Sequence, residues 1–178
     1  MKYRVGILTL SDKGSRGERE DLSGPAIAEL VTEAGYEVVY QNLMSDEFEP
    51  MKAELMRLCD ENVCDLLLTT GGTGFSVRDV TPEATMAVAE RNASGIAEAM
   101  RYNSLQITPR GMLSRGASVL RKQTLIINLP GSVKAVRENL SYILPSLSHG
   151  LGILTGRESE CGNEHHHHHH HNEGAAES

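Results

Sequence analysis

Along residues 1–156, short apolar runs alternate with stretches whose apolar positions recur every three or four residues. The run Arg4–Leu10 is rich in β-formers and carries no polar face, which predicts a strand buried on both sides. Ser23-Gly24-Pro25 opens a helical pattern with proline in its first turn. Ile27, Leu30, Val31 and Ala34 follow at helical spacing, and Gly35 ends it. Residues 37–43 read as a second strand. A second helix follows residues 44–50, with Met51, Leu55, Leu58 and Cys59 as its apolar stripe. Leu66–Thr70 is the third strand. Strand, helix, strand, helix, strand with short links is the pattern of a parallel sheet wound by right-handed crossovers. The fold class expected is therefore α/β, a three-layer arrangement with a mostly parallel sheet and helices on both faces.

Further along, residues 82–89 and 95–105 read as helices, and Thr108-Pro109-Arg110-Gly111 breaks the second of them. Residues 114–120 and Thr124–Leu129 are expected as two more strands, turned by Arg121-Lys122-Gln123. A closing helix over 133–151 is expected to be interrupted at Pro145. After Gly156 the apolar pattern ends. The expectation is one domain over residues 1–156 and a disordered, acidic, histidine-rich tail over 157–178.

Composition narrows the classes of function. The net charge is −7, but the chain from Glu158 onward holds five acids and no Lys or Arg, leaving 17 basic and 19 acidic residues before it. A nearly neutral body with 4% aromatics offers neither a basic footprint nor a stacking platform for nucleic acid. No run of 18 apolar residues is present, so no membrane span is expected. The first residues lead straight into a strand without the apolar core of a signal peptide. Three scattered cysteines, Cys59, Cys64 and Cys161, make no disulfide framework, and a cytoplasmic setting is expected. Cys59 and Cys64 read as packing residues. The seven consecutive histidines at 165–171 would bind Ni²⁺, Zn²⁺ or Cu²⁺, and read either as an affinity tag or as a natural metal-binding tail.

The candidate chemistry gathers at one edge of the sheet. Leu66–Thr70 runs into Gly71-Gly72-Thr73-Gly74, then Arg78-Asp79-Val80-Thr81-Pro82-Glu83 at a helix start. In an open parallel sheet, ligands bind beyond the carboxyl ends of the strands. Glycines let the backbone approach a ligand and turn its amides toward anionic oxygens, and the next helix adds the positive end of its dipole. The physical reading is an anion site, with phosphate as the anion; the plain alternative is a turn that needs glycine for its backbone angles. The loop 11–17, the pair Asp46-Glu47 and the corner Leu129-Pro130-Gly131-Ser132 are expected at the same edge. Phosphates beside carboxylates call for Mg²⁺, which takes one or two protein carboxylates. Asp46 and Asp79 are the acids best placed, with Asp12 third; capping of the next helix is the other explanation for Asp46 or Glu47. Before the tail the sole histidine is His149, so no Ser–His–Asp device is supported. Phosphoryl or nucleotidyl transfer remains, since it needs positioning and electrostatics more than a covalent nucleophile.

Thr70-Gly71-Gly72-Thr73-Gly74 followed by Arg78-Asp79-Val80-Thr81-Pro82-Glu83-Ala84 resembles the signature of the MogA/MoaB molybdenum-cofactor biosynthesis family, a domain type also present in plant Cnx and animal gephyrin proteins. Ser11-Asp12, Ser114-Arg115 and Asn128-Leu129-Pro130-Gly131-Ser132 with Lys134-Ala135 extend the likeness over residues 3–155. The resemblance implies a molybdopterin adenylyltransferase that uses ATP and Mg²⁺ and releases pyrophosphate. It implies catalytic and metal-holding roles for Asp46 and Asp79. Molybdopterin would be held by Thr70, Gly71, Gly72, Thr73 and Gly74, with Ser11, Asp12 and Ser114. Pro130, Gly131 and Ser132 would lie by the adenylate. It also implies a homotrimer and a molybdenum insertase as partner. Residues 17–25 read more like the MoaB branch, so a molybdopterin-binding or carrier module without turnover stands as the alternative.

Overall fold

The computed structural model of the protein describes residues 2–158. The histidine run and the remainder of the expected tail lie outside the described residues. In chain order the elements are β1 (Arg4–Leu10), α1 (Asp12–Ser15), α2 (Ser23–Glu33), β2 (Glu37–Met44), α3 (Phe48–Asp60), β3 (Leu66–Thr70), α4 (Thr81–Val88), β4 (Arg91–Asn92), α5 (Ser94–Ile107), a 3-10 turn (Pro109–Leu113), β5 (Ser118–Arg121), β6 (Thr124–Leu129) and α6 (Val133–Thr155). The six strands form one sheet in the order β2-β1-β3-β6-β5-β4. β2, β1, β3 and β6 are parallel, and β5 and β4 are antiparallel additions.

The central strands alternate large side chains between two covered faces. Val5, Ile7, Leu66, Leu68, Leu125, Ile127 and Leu129 pack with α2, α5 and α6. Leu8, Leu10, Leu67, Ile126 and Val119 pack with α3 and α4. The three-layer reading therefore holds, and so does the predicted stripe of α3: Met51, Leu55, Leu58 and Cys59 are all buried. Cys59 and Cys64 are free and buried as packing residues, with burial pushing their thiols up to about 11 and about 12. Among the described residues no helix is long and apolar enough to cross a membrane.

Four local departures have physical reasons. The loop after β1 contains a helical turn, because the Ser11 hydroxyl accepts the Gly14 amide at 3.0 Å and closes it. β5 begins at Ser118, whereas residues 114–117 leave the ladder to meet other partners: the Arg115 amide donates to Thr73 O, and the Ala117 amide to Asn128 Oδ1. β4 is two exposed residues, too short for any period to show. α6 passes through Pro145 without a break. A mid-helix proline costs about 3 kcal/mol. Leu140, Ile143, Leu147 and Leu151 are buried along the same helix, and each such side chain contributes roughly 1.5–3 kcal/mol, so packing wins.

The topology locates the crevice. After β1 the chain turns toward β2 on one side, and after β3 it leaves toward β6 on the other. The loops following β1 and β3 therefore diverge, and the gap between them is the switch point of the sheet, where an open α/β fold binds ligands.

Candidate active site

A cleft of about 590 Å³ opens at that switch point. Ser11, Asp12, Asp46, Thr70, Gly71, Gly72, Asp79 and Gly131 line it, bringing together residues from four loops predicted to share the edge. Thr73 and Gly74 continue the glycine loop beyond the lining. Ser132 caps α6, accepting the Ala135 amide at 3.2 Å. Ser114 and Pro130 instead line a separate cavity of about 180 Å³ between α5, the 3-10 turn and α6. His149 does not line the cleft.

The glycine loop is shaped by contacts that only glycine permits. Gly71 has φ +97° and Gly72 φ +69°. A Cβ on Gly71 would run into the Leu10 carbonyl oxygen, and one on Gly72 into the Thr81 hydroxyl and, at 3.1 Å, Asp46 Oδ1. Both ends of the loop are tied down. The Thr70 hydroxyl donates to Pro130 O at 2.7 Å, and the Thr81 hydroxyl donates to Gly71 O at 3.0 Å. Among the described residues, no acceptor pairs with the backbone amides of Gly72, Thr73 and Gly74. Three such donors in succession suit an anion.

The acids are individually distinct. Asp12 and Asp46 clasp each other: the Asp12 amide donates to Asp46 Oδ2 at 3.0 Å, and the Asp46 amide to Asp12 Oδ1 at 2.9 Å. Arg78 grips both Asp12 oxygens at 2.9 Å and Glu47 at 2.9 Å. Hydrogen bonding from Arg78, then from the Asp46 amide, pulls the Asp12 carboxyl down to about 2. Asp46 differs: its Oδ1 is buried and has no partner. Burial, followed by the charges of Asp12 and Asp79, raises its carboxyl above the ordinary value. Neither Asp46 nor Glu47 caps α3 through its side chain, so capping does not explain them. Asp79 Oδ2 accepts the Ser76 amide at 3.0 Å, and Asp79 lines the cleft beside Gly74.

The Asp12–Arg78 pair carries a pH prediction. Because Asp12 is lowered when folded, its contribution to stability is present above the ordinary carboxylate value and is lost as pH falls toward 2. Arg78→Gln is expected to move the Asp12 carboxyl back toward 3.8 in a carboxyl-carbon NMR titration. Its unfolding midpoint should fall below that of the parent at pH 7 and approach it near pH 2. An unmoved Asp12 titration would show that Arg78 is not its partner in solution.

Two contributors were not legible as site residues. Asp21 accepts the Thr9 hydroxyl at 2.8 Å and the Gly24 amide at 2.9 Å, fixing the start of α2 against β1. An acid three residues before a glycine at a helix start is the available signal. The resemblance offers Arg115 only for the region near a subunit boundary; in the structure it ties the glycine loop to α4 through its side chain.

A mostly parallel open sheet with unpaired glycine-loop amides and clustered carboxylates at its switch point defines the class: an α/β protein whose loop geometry suits an anion. The family described as a probable molybdopterin binding domain matches residues 6–149, and this chain belongs to that family. It is 41% identical over 154 residues to the molybdopterin adenylyltransferase of Helicobacter pylori, covering 85% of this chain and 88% of that protein. It is 45% identical over 143 residues to the Escherichia coli protein of the same name, covering 79% and 73%. Among solved structures, the molybdopterin biosynthesis enzyme MoaB of Thermus thermophilus superposes with a TM-score of 0.81 at 49% identity, over 86% of this chain and 97% of that one.

Proposed function

We propose that this protein is a molybdopterin adenylyltransferase. An oxygen of the molybdopterin phosphate attacks the α-phosphorus of ATP; the new P–O bond forms as the bond to the β-phosphate oxygen breaks, and pyrophosphate leaves. The observation that carries the reading is the buried, unpartnered Asp46 Oδ1 beside Gly72, with Asp79 lining the same cleft. A buried carboxylate oxygen without a partner fits a cation. Among the described residues no three His, Cys, Asp or Glu side chains form a preformed ligand group; Mg²⁺ needs only one or two carboxylates, with substrate phosphates and water completing its shell. Asp46 and Asp79 would hold it, and it would supply neutralisation of charge on the phosphates.

The chain's own residues do the positioning. The amides of Gly72, Thr73 and Gly74 would bind the pterin phosphate, with Thr70 and Gly71 fixing the loop's entry. Ser11 and Asp12, which also line the cleft, would meet molybdopterin as well, with Asp12 orienting Asp46 through its amide. Pro130, Gly131 and Ser132 would lie by the adenylate at the N-terminus of α6, where the helix dipole favours an anion. Ser114, in the neighbouring cavity, would contact molybdopterin extending past Pro130.

The homotrimer belongs to the same proposal. Tyr102, Leu105 and Ile107 of α5, with Met112 and Leu113 of the 3-10 turn, are exposed large apolar side chains close in sequence, the type of surface a subunit contact covers. The adenylylated product would pass to a molybdenum insertase, in a cytoplasmic setting.

The test is to mix the protein with molybdopterin, ATP and Mg²⁺ and look for adenylylated molybdopterin and pyrophosphate, with Asp79→Asn as control. Product with the parent alone is expected. Binding of molybdopterin without product would favour the carrier reading, which the likeness to a MoaB structure keeps in play. No binding would reject both.

A further inference from the structure

We infer that Arg115 is a positioning residue for Asp79, holding that carboxylate in the cleft by clamping both ends of the loop that carries it. The inference rests on the adenylyltransferase reading for its catalytic consequence. The loop leaves the glycine segment at Gly74 and returns at Asp79. Arg115 Nε donates to Gly74 O at 2.8 Å, and its Nη2 donates to Asp79 O at 2.7 Å. One rigid guanidinium thus fixes the separation of the loop's two ends, a geometry that the single ammonium of lysine cannot reproduce. Its third nitrogen, Nη1, is engaged by both oxygens of Glu83 in the first turn of α4, at 2.8 and 2.9 Å. Its own amide donates to Thr73 O at 2.9 Å. The chain just beyond the arginine is held as well: Arg101 Nη1 donates to Gly116 O at 2.8 Å, pinning it to α5.

The clamp matters because burial does not hold the loop. Phe75 is 71% exposed and Val77 95%, so neither anchors it by burial. Within the loop the backbone hydrogen bonds are local, since Asp79 Oδ2 accepts the Ser76 amide and the Asp79 amide donates to Ser76 O; the side chain of Arg78 adds a tie to Asp12 and Glu47. The local bonds shape the turn, and the Arg78 tie runs through a long, half-exposed side chain, whereas Arg115 grips the backbone at both ends of the loop. Arg115 connects it to two elements outside it, α4 and the segment before β5. Arg115 itself does not line the cleft, so its effect on chemistry passes through Asp79. A displacement of about 1 Å in a catalytic group costs on the order of 100-fold in rate.

The experiment compares Arg115→Lys, Asp79→Asn and the double variant with the parent, using Arg121→Lys as a matched control. Arg121 likewise bridges a carboxylate, Asp60, and a carbonyl, Val88 O, but away from the cleft. Arg115→Lys is expected to lower kcat by roughly 10- to 100-fold with the KM for ATP changed less than about threefold. Arg121→Lys should leave kcat at the parent value. The double variant should be no slower than Asp79→Asn, because a displaced Asp79 and a missing one are the same defect. Parent-like kcat in Arg115→Lys, or losses that multiply in the double variant, would overturn the inference. Amide hydrogen exchange over residues 74–79 supplies a readout independent of turnover: it should quicken about tenfold or more in Arg115→Lys and stay unchanged in Arg121→Lys. Unchanged exchange would overturn the clamp itself. An inactive parent with the exchange result intact would instead reject the adenylyltransferase reading and leave the clamp standing. If Arg115→Lys does not fold, Glu83→Gln, which loosens the same guanidinium, is expected to give a smaller loss of kcat and faster exchange over the same residues; parent values of both would overturn the inference.

Discussion

Asp46→Asn is expected to lower adenylyl transfer by roughly two to three orders of magnitude, the scale seen when one preorganised electrostatic contact to reacting atoms is removed. The expectation starts from a buried carboxylate oxygen with nothing to bind. A structural acid would have found a donor, since leaving a buried polar atom unpaired costs about 1–3 kcal/mol, and more when it is charged. Here the other oxygen and the amide are both engaged with Asp12, so the side chain is held still while Oδ1 is left facing Gly72. The stability prediction has the opposite sign. Burial, then the charges of Asp12 and Asp79, raises the folded Asp46 carboxyl above its ordinary value. Protonation of Asp46 therefore favours the fold. That contribution is fully present below the ordinary carboxylate value and is lost as pH rises through the raised one. Asp46→Asn, neutral at every pH, should accordingly be more stable than the parent at pH 7, and the gain should shrink toward pH 3. Urea midpoints at the two pH values check this. A variant that is slower and also less stable at pH 7 would mark Asp46 as a structural residue.

Gly71→Ala is expected to lose molybdopterin binding and about 3 kcal/mol of stability, or roughly 6–12 °C in Tm for a chain of this size. Two effects combine. At φ +97° an L-residue sits in a region that costs roughly 1–2 kcal/mol. The new Cβ also meets the Leu10 carbonyl, which ends β1, an interior strand paired on both sides. A backbone atom in an interior strand cannot swing aside as a side-chain tip would. Gly17→Ala separates the two effects: it too has positive φ, +73°, but a Cβ there meets nothing within 4 Å. It should cost only about 1 kcal/mol. Equal losses in the two variants would show that close approach at Gly71 contributes nothing.

The legible parts of this protein are those set by period and by punctuation. β1, β3 and β6 are continuous apolar runs because both faces are covered, and α3 declares its buried side through four residues. The gathering of Asp12, Asp46 and Gly71 at one edge followed from connectivity alone, since in a parallel sheet the loops after successive strands share that edge. The two-residue strand β4 and the passage of α6 through Pro145 depend on tertiary packing, which a local reading does not contain. The separation of Ser114 from the main cleft arises in the same way, because residues 114–117 leave the strand pattern to bind Thr73 and Asn128. The work of Arg115 was hidden for a further reason. Beyond the Glu83 carboxylate, its acceptors are main-chain carbonyls 36 and 41 positions earlier, and a carbonyl is present at every residue and marks none.

The unequal borders of the sheet bear on how copies of this chain behave when crowded. At one border β4 offers two residues, too short a template for a foreign strand. At the other, β2 runs for eight residues, with Glu37, Val39, Gln41 and Asn42 exposed. Its backbone is hydrogen-bonded to β1 on one side only. Cross-strand aggregation, if the protein undergoes it, should therefore start along β2, and a lysine in place of Val39 is the change that would guard that border.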